Sequence, residues 1–375
     1  MRIVFLFFLL VFLVSCKKSS TQPDPRIVPP VEPPVPYLFI RGLDLSFTPE
    51  TKENTVAFKE NGTIKDILQI AKDKGINTIR LRLWNNPATQ HSSLTEVADF
   101  AKQIKTAGLK FWLDFHYSDT WADPGAQTKP AAWNSLSFTE LKDSIYSFTK
   151  STLSYLAANN VLPDYVETGN EINSGFLWND GKVTSITDAN WANFTDLLKQ
   201  GIKATRETNT SIKIIIHIAG YDYAQQFFEK LKSFSTDYDI IGLSYYPWWH
   251  GKDLSALQQT VKNIATNFQK PVLIAETAYP FTFQYNDYTN NIVGSSDQLI
   301  TNYPSTIQGQ SQYISALISS IKSAADKDQF GVCYWAPDWV SFKGATATDG
   351  SPWENLTLFD FQNNALPGLD SLGKH

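Results

Sequence analysis

The segment Asp164–Asn173 reads DYVETGNEIN and decides the fold prediction. Its first residues are typical of a buried strand, and Gly169 marks the point at which that strand ends. The polar pair Asn170 and Glu171 follows directly. Enzymes built on parallel barrels carry their catalytic groups just past the carboxyl ends of the strands. We therefore expect a parallel βα architecture in which Glu171 is one catalytic group and another strand end supplies its partner.

Strand and helix signals alternate along the chain from Tyr37 onward. The predicted strands are YLFIRGLDLS ending near Asp44, INTIRLRLW ending near Trp84, LKFWLDFH ending at His116, the opening segment, Ile212–Ile218, Tyr238–Tyr246, Pro271–Thr277 and Phe330–Pro337. The predicted helices are Thr63–Lys74, capped by Thr63 and stopped by Gly75, then Ser93–Ala107, Phe138–Asn159, Trp191–Thr208, Tyr221–Phe234, Leu254–Phe268 and Gln308–Lys327. Strict alternation predicts a parallel sheet, and eight repeats predict a (β/α)8 TIM barrel forming one domain over residues 37–375.

Residues 1–16 read MRIVFLFFLLVFLVSC and predict a bacterial secretory signal. The apolar run is shorter than the roughly 20 residues that span a bilayer. Its end, LVSC, is similar to a lipobox, which makes Cys16 the predicted lipidation site. The alternative is an ordinary cleaved signal with an incidental cysteine. Residues 17–36 contain seven prolines and predict an extended linker, which would hold the domain away from a membrane that it touches only through the lipid anchor.

The composition excludes several classes of function. A net charge of -5 offers no basic patch, so nucleic acid is not an expected partner. The two cysteines, Cys16 and Cys333, give neither a disulfide framework nor a thiolate metal site. The 11 Trp, 16 Tyr and 24 Phe residues have two interpretations, a large core or an aromatic-lined cleft for a flat apolar ligand face such as a sugar ring. We expect the domain to be a monomer.

Polar and aromatic residues stand at almost every predicted strand end. In chain order these residues are Asp44, Arg80, Arg82, Trp84, His116, Asn170, Glu171, His217, Tyr245, Tyr246, Glu276 and Trp335. The carboxyl ends of the strands form the active face of a TIM barrel. We therefore expect the site at this face, beneath long loops after the third, seventh and eighth strands.

Glu276 is the predicted partner of Glu171. It ends the seventh strand, and the fourth and seventh strands lie across a barrel from each other. Two carboxylates about 5 Å apart suit a retaining glycosidase, in which one protonates the departing oxygen and the other attacks the anomeric carbon. The alternative is two unrelated strand-end acids that form buried salt bridges with Arg80 and Arg82.

Seven sequence blocks resemble the endo-β-1,4-galactanase family, glycoside hydrolase family 53. The blocks are RGLDLS, GINTIRLRLWNNP, LDFHYSDTWADPGAQTKPAAW, ETGNEIN, GLSYYPWWHG, IAETAYP and SPWENLTLFDF. The resemblance covers about Phe39–Leu369, which is essentially the whole domain. HYSDTWADP and TGNEIN are the most specific of the motifs, and the family's fold is the same (β/α)8 barrel.

The resemblance implies roles for the strand-end residues. Glu171 would be the general acid/base, with a raised pKa because it must hold a proton to donate. Glu276 would be the nucleophile, and Asn170 would bind the 2-hydroxyl of the sugar at the cleavage point. Arg80 and Arg82 would keep the nucleophile ionised and oriented. The other candidate substrate-binding residues are Asp44, Trp84, His116, Asp119, Trp121, Tyr246, Trp249, Trp335 and Trp353, with Tyr246 also a candidate partner of the nucleophile and the tryptophans as stacking platforms or core. Asp44 and His116 would bind substrate or support the residues that do. The segment Pro247-Trp248-Trp249-His250 is the predicted rim of the cleft.

The loop after the seventh strand departs from the family pattern. Some bacterial members carry a calcium site there, whereas this loop reads FTFQYNDYTNNIVGSSD and leaves Asp287, Asn290 and Asn291 as weak metal candidates. Calcium prefers several hard oxygens with carboxylates among them, so an ordered asparagine-rich lid is the alternative. The chemistry itself requires no cofactor.

The substrate that the resemblance implies is β-1,4-galactan, the side chain of type I arabinogalactan and pectin, cleaved at internal bonds. The alternatives are another endo-glycanase of the same clan, such as a mannanase or xylanase, and a non-catalytic glycan-binding lipoprotein. The presence of both carboxylates and Asn170 argues against the last. Because a polymer-cleaving enzyme is most useful outside the cell, we expect an outer-membrane, surface-exposed lipoprotein of the bacterial envelope.

Overall fold

The computed structural model describes residues 39–324 and 330–374. The predicted signal with Cys16 and the proline-rich linker lie outside the described residues. Within the described ranges, eight parallel strands close into a barrel in chain order. They are β1 (Ile40–Asp44), β2 (Thr78–Leu83), β3 (Lys110–Phe115), β4 (Tyr165–Thr168), β5 (Lys213–Ala219), β6 (Ile240–Ser244), β7 (Val272–Thr277) and β8 (Phe330–Tyr334).

The barrel closes between its first and last strands. Ile40 of β1 pairs in parallel with Gly331 of β8, and Gly42 of β1 pairs with Thr78 of β2. Every residue of β2 and of β7 is buried, as expected for strands covered on both faces. The predicted TIM barrel is therefore confirmed: β1 and β7 end at the predicted residues, and β2, β3, β5, β6 and β8 end within one to three residues of the predicted ones.

Ten α-helices occur in the described part of the chain. They are α1 (Thr48–Glu53), α2 (Ile67–Asp73), α3 (Leu94–Thr106), α4 (Phe138–Ala158), α5 (Trp191–Thr208), α6 (Ala224–Ser233), α7 (Pro247–His250), α8 (Leu254–Phe268), α9 (Ile307–Ala324) and α10 (Pro367–Gly373). Short 3-10 turns lie at Ala131–Trp133, Ser296–Gln298 and Glu354–Leu356. Among the described helices, none combines the length and the apolar character that crossing a membrane requires.

The start of α2 corrects one prediction. Thr63 does not cap a helix but pairs with Glu60 in a two-stranded antiparallel ribbon. Asn61 and Gly62 form its turn with positive φ angles of 51° and 80°, as expected of an Asn-Gly hairpin. The helix begins after Asp66, whose side chain accepts from the backbone N–H groups of the first turn. The helix therefore begins four residues later than the apolar periodicity predicts, because residues 63 and 64 belong to the ribbon and Asp66 is the cap.

The long loops after β7 and β8 are fastened to each other and to α9. The buried side-chain amide of Gln310 donates to the backbone carbonyls of Tyr279 and Thr357, at 2.8 and 2.9 Å. The ring of Tyr279 stacks on Tyr313 of the same helix at 4.1 Å. These contacts hold both loops over the carboxyl end of the barrel, where they form one wall of a cleft.

Candidate active site

A cleft of about 510 Å³ opens at the carboxyl end of the barrel. Both predicted carboxylates, Glu171 after β4 and Glu276 in β7, line it. The other predicted site residues in its wall are Arg80, Arg82, His116, Trp121, Asn170, Tyr246, Trp249, Trp335 and Trp353. The site is therefore assembled from strand ends that are far apart in the sequence and meet only because the barrel closes.

Glu276 is held by one hydrogen bond to each carboxylate oxygen. Arg80 donates from Nη1 to Oε1 at 2.8 Å, and the Tyr246 hydroxyl donates to Oε2 at 3.0 Å. Burial and the Glu276 carboxylate raise the pKa of Tyr246 well above the ordinary tyrosine value, so this hydroxyl keeps its proton. The carboxylate is thus oriented, and a fixed positive charge faces it.

Arg80 is the buried cation at the centre of the barrel. Its guanidinium donates to the side chains of Asp44, Asp114, Glu167, Asn170 and Glu276, at 2.8 to 3.0 Å. Burial by itself would lower the pKa of Arg80, but the surrounding carboxylates, led by Asp114, raise it well above the ordinary range. Planar geometry with five N–H donors suits this multiple contact, which a lysine could not reproduce.

The environment of Glu171 favours the protonated form of its carboxyl group, whereas Glu276 faces the positive charge of Arg80. Its backbone adopts a left-handed conformation with φ of 45°, and the side chain is buried. The hydroxyl oxygen of Ser244, the last residue of β6, lies within hydrogen-bond distance of Oε1, at 2.5 Å. Burial first, and the nearby Glu276 carboxylate second, raise the pKa of Glu171 to about 8. The carboxyl group therefore carries a proton at neutral pH, as a general acid requires.

A family model described as glycosyl hydrolase family 53 matches residues 40–372. The chain belongs to glycosyl hydrolase family 53. It is 38% identical to the arabinogalactan endo-beta-1,4-galactanase of Cellvibrio japonicus, over 88% of this chain and 89% of the relative. Among solved structures, the Ignisphaera aggregans GH53 catalytic domain matches with a TM-score of 0.84 and 40% identity, covering 91% of this chain and 97% of the other. A fungal beta-1,4-galactanase structure matches with a TM-score of 0.78 and 29% identity, covering 90% and 100% of the two chains. The resemblance seen in the sequence blocks is confirmed, and the chain is a glycosyl hydrolase.

Behind Glu171 of this family 53 barrel lies a chain of buried polar groups. Ser244 Oγ is 2.8 Å from His217 Nε2, and His217 Nδ1 is 2.6 Å from Glu167 Oε1. Burial alone would raise the pKa of Glu167, but Arg80 and His217 outweigh it and lower the pKa to about 2. Neither Glu167 nor Ser244 receives a role from the sequence alone. The only signal for Glu167 is a charged residue inside an apolar strand.

His116 of the family 53 site is a neutral imidazole of known tautomer. Its Nδ1 accepts from Trp84 Nε1 at 3.2 Å and from the backbone N–H of Ala122 at 3.1 Å. The Nε2–H group therefore donates to Asp114, at 2.9 Å. Burial and the charge of Arg80 lower the pKa of His116 to about 3, so it stays uncharged. Trp84 acts on the site through this contact.

Arg82 lines the cleft but does not hold Glu276, the predicted nucleophile. Its side chain donates from Nε to Ser92 Oγ at 2.9 Å. The guanidinium lies against the rings of Phe47 and Trp121, with its carbon 4.1 and 4.3 Å from the ring centroids. Of the two arginines on β2, the fold brings Arg80 to Glu276 and stacks Arg82 among aromatic rings.

Three of the predicted substrate-binding residues do not line the cleft as the described part of the chain forms it: Asp44, Trp84 and Asp119. Asp44 accepts from Arg80 and from the backbone of Ser46. Asp119 accepts from the backbone N–H groups of Asn86 and Ala131. These side chains organise the site and its loops from outside the cleft wall. Two further residues with polar or aromatic side chains, Asp123 and Trp339, line the cleft without having been predicted, and His250, predicted only as part of the cleft rim, lines it as well.

The aromatic residues serve both core and cleft. Trp335 and Trp353 pack edge to face at 4.7 Å and line the cleft together. Trp249 of α7 also lines it, with 57% of its surface exposed. The segment that the sequence marked as a cleft rim is thus a short helix carrying a tryptophan. Both interpretations of the high aromatic content apply, since Trp112 and Trp191 lie in the core.

The three metal candidates lie in the loop after β7. Asp287 is buried, and its two oxygens accept from the Thr289 backbone at 2.7 Å and from the Ser341 hydroxyl at 2.8 Å. Asn291 donates to the Gln284 carbonyl, and Asn290 is exposed. Across residues 39–324 and 330–374, no group of three His, Cys, Asp or Glu side chains could hold a metal. Of the three candidates only Asp287 is a carboxylate, and both of its oxygens already accept hydrogen bonds, whereas calcium prefers several carboxylates among its ligands.

Proposed function

We propose that the chain is an endo-acting, retaining glycoside hydrolase that cleaves β-1,4-galactosidic bonds in galactan and type I arabinogalactan. The observation that carries the proposal is the pair Glu171 and Glu276, which share one cleft in opposite environments. One carboxyl group is protonated at neutral pH, and the other is held by an arginine and a tyrosine hydroxyl. The choice of galactan rests on two relatives, 38% and 30% identical to this chain, that are endo-beta-1,4-galactanases of Cellvibrio japonicus and Bacillus subtilis.

The first step forms a covalent intermediate. Glu171 gives its proton to the glycosidic oxygen while a carboxylate oxygen of Glu276 attacks the anomeric carbon. The bond between that carbon and the leaving sugar breaks, and the galactosyl group becomes an ester of Glu276. Arg80 and Tyr246 keep the attacking oxygen oriented, and the buried site strengthens every charge contact within it.

The second step releases the product with retained configuration. Glu171, now a carboxylate, takes a proton from water as the water oxygen attacks the anomeric carbon and the ester bond breaks. Asn170 is fixed for substrate contact, because its carbonyl oxygen accepts from Arg80 at 2.8 Å and its amide donates to the Ala122 carbonyl. The remaining amide hydrogen can donate to the 2-hydroxyl of the sugar.

Azide rescue assigns the two carboxylates separately. With an activated aryl β-galactobioside, Glu171→Ala is expected to regain turnover in azide and to give the β-galactosyl azide. Glu276→Ala should give the α-galactosyl azide, because azide then attacks the free face of the substrate directly. The same azide configuration from both variants would contradict the assignment. The surface variant Glu229→Ala is the matched control and should be unaffected by azide.

Two other functions remain to be separated from galactan cleavage. Hydrolysis of mannan or xylan with galactan untouched would assign the chain to another activity of the clan. A non-catalytic glycan-binding protein would bind galactan without cleaving it. If the protein only binds galactan, the purified parent and Glu171→Gln would both release reducing ends at the background rate. If it is the proposed hydrolase, the rate of release should be at least a hundredfold lower in Glu171→Gln than in the parent.

We further propose that the enzyme is tethered to the bacterial envelope through lipidated Cys16, as a surface lipoprotein. The support is the LVSC sequence at the end of the signal, followed by the proline-rich linker. An anchored enzyme would release oligosaccharides next to the cell that takes them up. Protease treatment of intact cells tests the placement, since a protein that survives it lies inside.

A further inference from the structure

A continuous row of buried hydrogen bonds runs from Glu171 into the barrel wall. Ser244 Oγ lies 2.5 Å from Glu171 Oε1 and 2.8 Å from His217 Nε2. His217 Nδ1 lies 2.6 Å from Glu167 Oε1. Ser244, His217 and Glu167 are each fully buried. Glu167 in turn receives two hydrogen bonds from Arg80, which fixes the far end of the row.

The hydroxyl of Ser244 has one hydrogen to share between two neighbours. When Glu171 is protonated, its O–H can donate to Ser244 Oγ, and Ser244 then donates to an unprotonated His217 Nε2. When Glu171 is ionised, Ser244 donates to the carboxylate, and a protonated His217 donates to Ser244. Both arrangements satisfy every group in the row and contain the same number of protons. They differ in whether Glu171 or His217 holds the shared one.

We propose that Ser244 and His217 are positioning residues that share one proton with Glu171 and let it alternate between acid and base. This inference rests on the proposed acid/base role of Glu171. In the shift, the O–H bond of Glu171 breaks as Ser244 Oγ gains that proton, and the Ser244 hydrogen moves to His217 Nε2. The reverse shift returns the proton, so charge and atoms balance without any further reactant.

The charged groups around His217 favour uptake of the shared proton by its imidazole. Burial alone would lower the pKa of His217, but the Glu167 carboxylate raises it above the ordinary value. Because Glu167 is ionised and Arg80 donates to it, Nδ1 keeps its hydrogen, and Nε2 is the nitrogen that changes state. The charged and titratable groups that face Glu171 and His217 are Arg80 from β2, Asp114 from β3, Asp123 from the loop after β3, Glu167 from β4, Tyr246 and His250 around α7, and Glu276 from β7.

Ser244→Ala removes the link between the two groups. The ionised form of Glu171 loses a charge-assisted donor, so the basic limb of the kcat/KM profile on galactan is expected to move to higher pH. The second step, read as kcat on an activated aryl β-galactobioside, should fall by roughly ten- to a hundredfold, the worth of a hydrogen bond to a charged group. Ser244→Thr keeps the hydroxyl and should restore both. If Ser244→Ala does not fold, Ser244→Cys, with its weak donor, replaces it in the test.

Thr149→Val is the matched control. It deletes a buried hydroxyl that bonds Tyr117 at 2.8 Å, away from the cleft. Its thermal unfolding should resemble that of Ser244→Ala, while its pH profile stays that of the parent. A Ser244→Ala enzyme with the parent's pH profile and kcat overturns the inference, as does an equal loss of activity in Thr149→Val. If Glu171→Gln still cleaves galactan, the proposed function itself fails, so the two failures are distinguishable.

Discussion

Arg80 shows how much of this site depends on single side chains. One guanidinium contacts four carboxylates, of which only Glu276 is assigned to the chemistry. Burying such a cluster gains little stability over an apolar core, because desolvation of the charges offsets their attraction. Removing one partner is costly, because it leaves an uncompensated charge. We therefore regard the cluster as a device that sets protonation states at the cleft.

At the residue scale, the protonation of Glu171 predicts a pH-dependent stability. The unfolded chain ionises this group near its ordinary pKa of 4.5, whereas burial and Glu276 keep it protonated in the fold up to about pH 8. A raised pKa gives stability that is fully present below 4.5 and is lost as pH rises toward 8. Glu171→Gln lacks this loss, so its melting temperature should exceed that of the parent by a margin that widens from pH 4.5 to 8.

Melting curves across this pH range check the prediction. The exposed Glu229→Gln variant of α6 serves as control and should follow the parent at every pH. A constant difference between Glu171→Gln and the parent would mean that Glu171 titrates alike in the folded and unfolded chains.

The two carboxylates could be found from the sequence, and the groups behind them could not. Glu171 and Glu276 each follow an abrupt change from apolar to polar residues at a strand end. Ser244 stands within a predicted strand, where a small residue gives no signal of its own. Its role depends on His217, which pairs with Gly242 on the adjacent strand, and that register is a property of the closed sheet.

At the scale of elements, the loops at the carboxyl end of the barrel contribute much of the cleft wall, and the regular strands and helices support them. The strands follow from their apolar runs, and the helices from period and caps, as with Ser93 at the start of α3. The short helices α1, α7 and α10 were not predicted. α7 comprises only four residues that begin with Pro247, too few for a helical period to be detected. It was still recognisable as a rim from its paired tryptophans, and it presents Trp249 to the cleft.

Trp249→Ala should weaken substrate binding more than chemistry. An exposed indole at the cleft wall offers a stacking face to a sugar ring, and its loss should raise KM for galactan about tenfold. The Tyr246 hydroxyl still donates to Glu276, so kcat should stay within about twofold. Steady-state kinetics on linear galactan measure both. Tyr155→Ala removes an exposed ring of α4 that lies outside the cleft and should change neither, and an unchanged KM in Trp249→Ala would exclude the stacking role.

At the scale of the whole molecule, barrel closure brings distant segments into one site. Strand order and the parallel direction followed from the alternation of signals, since eight βα repeats have one familiar closed form. The contacts that fasten the long loops did not follow. Gln310 ties the loops after β7 and β8 together through their backbone carbonyls, and no side-chain pattern reveals such partners.

Cys16→Ser tests the proposed anchoring of the whole protein. Lipidation needs the thiol, so the variant should leave the membrane fraction and appear in the aqueous fraction of lysed cells or in the medium. Immunoblots of both fractions, alongside galactan hydrolysis in each, give the readout. Cys333→Ser is the matched control, because its buried thiol lies in β8 and bears no lipid. Retention of Cys16→Ser in the membrane would contradict the anchor.

The left-handed backbone conformation of Glu171 has a consequence for how this protein can evolve. A residue with a side chain costs about 1 kcal/mol or more in this conformation, and glycine or asparagine would relieve part of it. Under the proposed acid/base role, selection for cleavage keeps a glutamate there against folding stability. A descendant that had come only to hold its glycan would be released from that conflict, and drift toward glycine or asparagine at this one position would mark the change.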